Sequence, residues 1–291
     1  MIYKEFGKTR EKLSALGLGT WQLGRDPMIE IKAIRAGIDA GINFIDTAEI
    51  YGSEPIVKRA LQGKKNIFIA TKVWPTHFHY DDVIKSCNQS LHELGLNKID
   101  LYQLHWPNKF IPIEETMRAM EDLVKEGKIK YIGVSNFDKD QLINAQSVMK
   151  KEEIVSNQVE YSIVVREPEK TLIPYCKKEK ISIIAYSPLG HGKLFSSRYK
   201  PLLDALSVIG KPYKKTATQV ALNWLLNKKE IFPIPKVSTP EHALEDAASA
   251  SFKIKPKDKL KIEIKSQKFG TSPLRNFVYL PLSFLLFFKR F

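Results

Sequence analysis

Short apolar runs rich in β-branched and aromatic residues alternate along this chain with segments of helical period. The runs are "LGLGTW" (16–21), "NFIDT" (43–47), "NIFIATKV" (66–73), "IDLYQLH" (99–105), "KYIGVSN" (130–136), "SNQVEYS" (156–162), "SIIAYSPL" (182–189) and "IFPIPKV" (231–237). Between them Val83, Ile84, Cys87, Leu91 and Leu94 fall on one helical face, as do Ile113, Met117, Met120 and Leu123. Ala217, Val220, Ala221, Trp224 and Leu225 repeat the pattern. Each such segment has one apolar stripe to lay on a sheet.

Near-continuous apolar strands separated by amphipathic helices imply parallel pairing through right-handed crossovers, and eight strands is the number that closes a barrel. The competing doubly wound sheet is usually marked by G-x-G-x-x-G after the first strand; here Gly17, Gly19 and Gly24 have the wrong spacing. The expected fold is therefore an α/β (β/α)8 TIM barrel in a single domain. A hairpin of "MIYKEFG" with "EKLSALG" precedes the first strand, placed to cover the barrel bottom. The barrel is expected over residues 1–255, with a basic and then apolar C-terminal tail over 256–291. The longest irregular region is read at about 189–215, and a loop of that length is more often functional than idle.

Composition narrows the class. At 43% hydrophobic and 27% charged residues, the 291-residue chain can bury a substantial core. Cys87 and Cys176 are too few and too far apart for a disulfide framework, which suits a reducing cytosol. With no secretory signal pattern and no apolar run of spanning length, a soluble cytoplasmic protein is expected. The net charge of +14 raises nucleic acid as a partner, but residues 252–291 alone carry +8 of it. No nucleic acid is expected.

In a barrel of this kind the site is built from the C-terminal strand ends and the loops after them. The second, third and fourth strands end in Asp46, Lys72 and His105, and Tyr51 lies in the loop after the second. Strands about 4.8 Å apart can bring these together. A carboxylate beside a lysine makes a tolerable buried pair, and the ammonium is expected to lower the pKa of a nearby tyrosine. Tyr51 would then donate a proton to a carbonyl oxygen, with His105 as second donor to that oxygen, as a hydride-accepting carbonyl requires. Taken singly, each residue has a bland reading as a cap, a solvated end, a core histidine or a packing tyrosine. Their succession at consecutive strand ends is what departs from it.

On "LGLGTWQLG", "GINFIDTAEIYG", "ATKVW", "IDLYQLHWP", "GKIKYIGVSNF", "SNQVEYS", "AYSPLG" and "IPKVSTPEHALED", in that order, the chain resembles the aldo-keto reductase family over about residues 1–255. The resemblance implies an NAD(P)H-dependent oxidoreductase that reduces aldehydes or ketones to alcohols, with Asp46, Tyr51, Lys72 and His105 as catalytic tetrad and Tyr51 as proton donor. It assigns Ser135, Asn136 and Gln158 to the nicotinamide carboxamide and Tyr186 to stacking on the ring. The backbone of Ser187, Leu189, Gly190 and Gly192 falls to the pyrophosphate, and Gly19, Thr20 and Trp21, with Asp46, flank the cofactor. Thr239 as N-cap and Pro240 at the first helical position open a helix beside Lys236, a good site for the adenosine 2′-phosphate. Ser238 and His242 belong to that end, with Glu245 and Asp246 near the adenine edge. Val237 and His242 stand where NADP-preferring members often have Ser or Thr and an Arg; NADP(H) is still favoured over NAD(H). The loop in "YGSEPIVKRAL" is shorter than usual, which would widen the entrance near Tyr51. The substrate wall is assigned to Trp21, Trp74 and Trp106, with Tyr51 and His105.

Other signals are weaker. "HFH" (77–79) with Asp81 and Asp82 lies beside a helix start, so capping is favoured and no metal is expected. "KIKPKDKLKIEIK" (253–265) reads as a solvated surface element as readily as a binding stripe. "FVYLPLSFLLFF" (277–288) is too short to span a membrane and is interrupted by Pro281, so packing on the barrel is the default. The expected partner is a small-molecule carbonyl compound, the chain being a monomer or weak homo-oligomer, with membrane contact through the tail as a minor alternative. The rival function is a non-catalytic nucleotide-binding regulatory subunit acting through a membrane or channel partner.

Overall fold

A computed structural model describes residues 1–268. A two-stranded antiparallel hairpin, β1 (Tyr3–Glu5) and β2 (Lys12–Ser14), precedes the barrel. Eight parallel strands follow: β3 (Leu18–Gly19), β4 (Phe44–Asp46), β5 (Phe68–Val73), β6 (Ile99–Leu104), β7 (Ile129–Ser135), β8 (Ile154–Glu160), β9 (Ser182–Tyr186) and β10 (Ile231–Ile234). Each lies within or beside one of the eight apolar runs. Strand order follows the chain from β3 to β10. The ends meet: Gly17 N donates to Pro233 O at 3.0 Å, Gly19 N to Pro235 O at 2.9 Å, and Val237 N to Gly19 O at 3.1 Å. Gly19 makes this seam possible, because a Cβ there would lie 2.9 Å from Ile234 O.

The helices α1 (Pro27–Asp39), α2 (Glu54–Leu61), α3 (Tyr80–Leu94), α4 (Ile113–Lys125), α5 (Lys139–Ser147), α6 (Leu172–Lys178), α7 (Lys200–Gly210), α8 (Ala217–Leu226), α9 (Pro240–Ala247) and α10 (Pro256–Gln267) surround the sheet. The stripes read from the sequence are the buried faces of α3, α4 and α8. Capping fixes several starts: Asp138 with Gln141, and Thr216 with Gln219, form reciprocal capping boxes, and Asp26 accepts from Ile29 N. Cys87 and Cys176 are free and buried, and burial pushes both thiols up to about 12.

One expectation needs revision. The region 189–215 is largely helical: it holds short 3-10 turns at Lys193–Phe195, Ser197–Tyr199 and Lys211–Tyr213, and all of α7. Leu202, Leu206 and Ile209 form the buried stripe of α7, and Pro201 sits in its first turn, where a missing N–H costs nothing. The 253–265 stretch is mostly α10; Ile254 and Ile262 are buried while most of its lysines face solvent. Arg166 holds α10 through Ser266 Oγ (2.6 Å) and Glu263 (2.7 Å), and Trp224 Nε1 donates to Glu263 (2.7 Å). The 277–288 run lies outside the described residues.

The hairpin plugs the barrel bottom. Phe6 and Leu13 are buried among Phe44, Phe68, Leu101, Val155, Ile184 and Phe232, which line the inside of the sheet. The Phe6 ring centroid lies 5.2 Å from that of Phe232 and 5.6 Å from that of Phe68. The bottom is thus apolar and closed, and polar side chains gather at the other end. Phe6→Ala should cost about 3–5 kcal/mol and lower the thermal midpoint by roughly 10 °C. Circular dichroism melting checks this; an unchanged midpoint would mean the hairpin does not plug the barrel.

Candidate active site

Asp46 ends β4, and β5 places Lys72 two residues beyond the Asp46–Ala70 register position. Because side chains alternate along a strand, Ala70 and Lys72 share the inner face. Lys72 is fully buried and Asp46 is 2% exposed. Lys72 Nζ donates to Asp46 Oδ1 at 2.5 Å and to Thr47 O at 2.7 Å. The second carboxylate oxygen accepts from Gln103 Nε2 at 3.2 Å and Gln158 Nε2 at 2.7 Å. Asp46 therefore ties together β4, β5, β6 and β8. Burial pulls the Lys72 ammonium below its ordinary range, and the Asp46 charge and hydrogen bond act against it.

Tyr51 lies above this pair, at the end of a 3-10 turn (Glu49–Tyr51) that follows β4 after Thr47 and Ala48 and is closed by left-handed Gly52. Its ring centroid is 5.0 Å from Lys72 Nζ, and its Oη is 3.3 Å from His105 Nε2. The structure thus brings Asp46, Tyr51, Lys72 and His105 into one cluster. The expected lowering of the Tyr51 pKa is reversed: burial first, then the charge of Asp46 and the nearby Tyr186, hold the phenol well above its ordinary range. Burial is the main reason for the reversal, and Asp46 adds to it by offsetting the charge of Lys72. His105 is held well below the ordinary imidazole range, mainly by burial and then by Lys72, so it is neutral. Its Nδ1 is buried with no hydrogen-bond partner among the described residues. An orphaned N–H would cost more than an orphaned lone pair, which places the proton on Nε2, facing Tyr51.

The proposed nicotinamide residues form one network with this cluster. Asn136, in left-handed conformation (φ 63°), donates to His105 O and Ser135 Oγ, each at 3.0 Å, and accepts from Tyr186 Oη at 2.9 Å. Ser135 Oγ donates to Gln158 O at 3.0 Å. After β9, Ser187, Gly190, His191 and Gly192 all have positive φ, and a Cβ on Gly192 would meet nothing within 4 Å. This open, curled backbone, which also carries Leu189, suits a bound pyrophosphate. Lys236 follows β10 and is exposed; desolvation first and then Arg25 hold it below the ordinary lysine range. Thr239 caps α9 by accepting from His242 N at 3.3 Å, with Ser238 just before it. Glu245 is engaged by Thr216 Oγ1 at 3.2 Å, while Asp246 is buried. These residues are chemically suited to a dinucleotide: amides at one end, and a cation at a helix N-terminus at the other.

Thr20 is buried and bonds Asp46 O and Ser53 Oγ, each at 3.0 Å. Trp74 stands edge-on to His105 (centroids 5.1 Å), Trp106 follows His105 half-buried, and Trp21, 45% exposed, meets His191 at 5.9 Å. His77 and His79 do not converge: His77 Nδ1 lies 2.9 Å from Glu49, and His79 Nδ1 lies 3.2 Å from Glu115, which also caps α3 by accepting from Tyr80 N. Sequence reasoning missed Gln103, Glu30 and Glu49. Gln103 was readable, since it precedes His105 by two residues on a strand. Glu30 is buried and gathers Gly24 N (2.8 Å) and Arg25 N (3.2 Å), a role no spacing announces.

The aldo/keto reductase family profile matches residues 15–267. The chain belongs to the aldo/keto reductase family. It is 36% identical over 244 residues to methylglyoxal reductase YeaE of Escherichia coli, covering 81% of this chain and 85% of that one. A thermostable aldo-keto reductase, Tm1743, crystallised with the inhibitor epalrestat, superposes with a TM-score of 0.85 at 38% identity, over 91% of this chain and 100% of that one. An aldo/keto reductase from Klebsiella pneumoniae in complex with NADP and acetate gives 0.82 at 30% identity, over 94% and 97%.

Two outcomes test the electrostatics of this aldo/keto reductase. Asp46→Asn leaves Lys72 buried without its counter-charge and should cost about 3–5 kcal/mol in urea unfolding; a loss below about 1 kcal/mol would show that the pair is not desolvated. Burial, followed by the Glu245 charge, pushes the Asp246 carboxyl up to about 7. Between the ordinary carboxylate pKa of about 4 and pH about 7, the unfolded chain releases a proton that the folded chain keeps, so stability falls as pH rises through that window. Asp246→Asn should therefore raise the thermal midpoint at pH 8 and leave it nearly unchanged at pH 4. An equal difference at both would contradict the shift.

Proposed function

We propose that this chain is an NADP(H)-dependent carbonyl reductase that converts a small aldehyde or ketone to an alcohol, with Tyr51 as proton donor. The observation that carries the reading is the approach of Tyr51 Oη and His105 Nε2 to 3.3 Å above the buried Lys72–Asp46 pair. Reduced nicotinamide supplies the hydride.

Tyr51 is a neutral phenol at working pH and therefore holds the proton that the carbonyl oxygen must receive. His105, neutral with its proton on Nε2, donates a second hydrogen bond to the same oxygen as charge develops there. Being neutral, it does not compete as a stronger acid. As Tyr51 gives up its proton, Lys72, 5.0 Å from the ring centroid, stabilises the phenolate that forms. Asp46 keeps Lys72 tolerable in the interior and holds Gln158 by its Nε2. Gln158, with Ser135 and Asn136, would hold the nicotinamide carboxamide, and Tyr186 would lie against the ring. Trp21, Trp74 and Trp106 wall the substrate side.

NADP(H) is favoured by Lys236 in the short connection leading into α9, with Arg25 near enough to act on it electrostatically, and by the NADP complex of the Klebsiella relative. The methylglyoxal reductase relative supports a small 2-oxoaldehyde as substrate class. The regulatory-subunit alternative drew on the apolar run beyond the described residues, and no described feature favours it.

Purified protein given NADPH and methylglyoxal should lose absorbance at 340 nm. Tyr51→Phe should reduce kcat by about 100-fold or more and leave NADPH affinity within a factor of about two. Turnover retained in Tyr51→Phe would remove Tyr51 from the donor role.

A further inference from the structure

Glu49 sits two residues before Tyr51, in the same 3-10 turn. Its Oε1 accepts from Trp74 N at 2.5 Å and lies 2.9 Å from Nδ1 of His77, which is 47% exposed by side chain. Ser86 Oγ of α3 lies 3.2 Å from the same nitrogen. Glu49 thereby straps the turn after β4 to the connection after β5. The strap closes on itself: the Trp74 indole stands edge-on to His105, and His105 Nε2 faces Tyr51 Oη. Within the turn Tyr51 N donates to Ala48 O and Gly52 N to Glu49 O, and its flanks are held by Lys72 Nζ on Thr47 O (2.7 Å) and by the Thr47 Oγ1–Ser53 Oγ contact (2.9 Å).

Reading Tyr51 as the proton donor, we propose that Glu49 is a positioning residue that acts through it. The carboxylate fixes the short turn against the backbone of Trp74 and so sets how close Tyr51 Oη and His105 Nε2 come to the carbonyl oxygen. Lys72 and Asp46 set the charge beneath Tyr51; Lys72 reaches Thr47 O, two residues before the turn, and among the described residues it is Glu49 whose side chain ties the turn itself to the connection after β5. Proton transfer is steep in distance, and a displacement of about 1 Å can cost on the order of 100-fold. A residue holding this turn therefore affects kcat without touching substrate or cofactor. His77 supports the outer side of the carboxylate and contributes less.

Kinetics with NADPH and methylglyoxal test this. Glu49→Ala should lower kcat by about tenfold or more, with NADPH affinity, read by fluorescence titration, within a factor of about two. Glu49→Gln keeps an oxygen acceptor for Trp74 N–H and should restore kcat to within about threefold. Glu49→Asp keeps the charge but is one methylene too short, and should be impaired like Glu49→Ala; it decides the matter if the alanine variant does not fold. His79→Ala, which removes a similar exposed His–Glu pair that serves α3 instead, should change nothing. A wild-type kcat in Glu49→Ala or Glu49→Asp overturns the proposal, as does a Glu49→Gln variant no better than Glu49→Ala. Turnover that is lost in Tyr51→Phe but undiminished in Glu49→Ala overturns this proposal alone, whereas a wild-type chain that turns over no carbonyl sinks both it and the functional reading.

Discussion

A lysine with no exposed surface must find its stabilisation inside the protein. Lys72 finds it in Asp46 and in the Thr47 carbonyl. Removing each ion from water costs several kcal/mol, which the pair recovers only if the remaining lone pairs are also satisfied. Gln103 and Gln158 do this at the second carboxylate oxygen, and in doing so they fix the top of four barrel strands relative to one another. The strand register at this end of the barrel and the placement of the site are thus one constraint. The opposite end is apolar and plugged by Phe6 and Leu13, so the barrel supplies its own packing and leaves the top free for chemistry.

From this constraint the protonation states follow. Because Asp46 compensates Lys72, the phenol above them is not forced into its ionised form, and burial keeps Tyr51 protonated. Burial and the Lys72 charge keep His105 neutral. Two neutral donors face one space, with a cation beneath the one that gives up its proton. That arrangement favours negative charge on Tyr51 only as the proton leaves, which is where stabilisation lowers a barrier.

The barrel was legible because its signals are periodic: eight apolar runs and the stripes of α3, α4 and α8 follow from side-chain alternation and helical pitch. Asp46, Lys72 and His105 were legible because polar residues end apolar strands. What failed was of two kinds. The stripe Leu202, Leu206 and Ile209 of α7 has helical spacing but is masked by a neighbouring segment dense in Gly, Ser and Pro. The direction of the Tyr51 shift, and the roles of Glu30 and Glu49, depend on burial and on distances between separate loops, and no pattern along the chain encodes either. The Asp46–Lys72 pair was readable and its lysine argued for a lowered phenol; only the fold shows how deeply Tyr51 is buried, and burial is what outweighs the lysine.

The central claim is that Tyr51 stands as a protonated phenol over a compensated ion pair. Nuclear magnetic resonance of protein carrying 13C at the tyrosine ζ carbons, titrated from pH 6 to about 11, tests it directly. The Tyr51 signal, assigned by its loss in Tyr51→Phe, should stay at the phenol position throughout. A Tyr51 signal that moves to the phenolate position near neutral pH would contradict it.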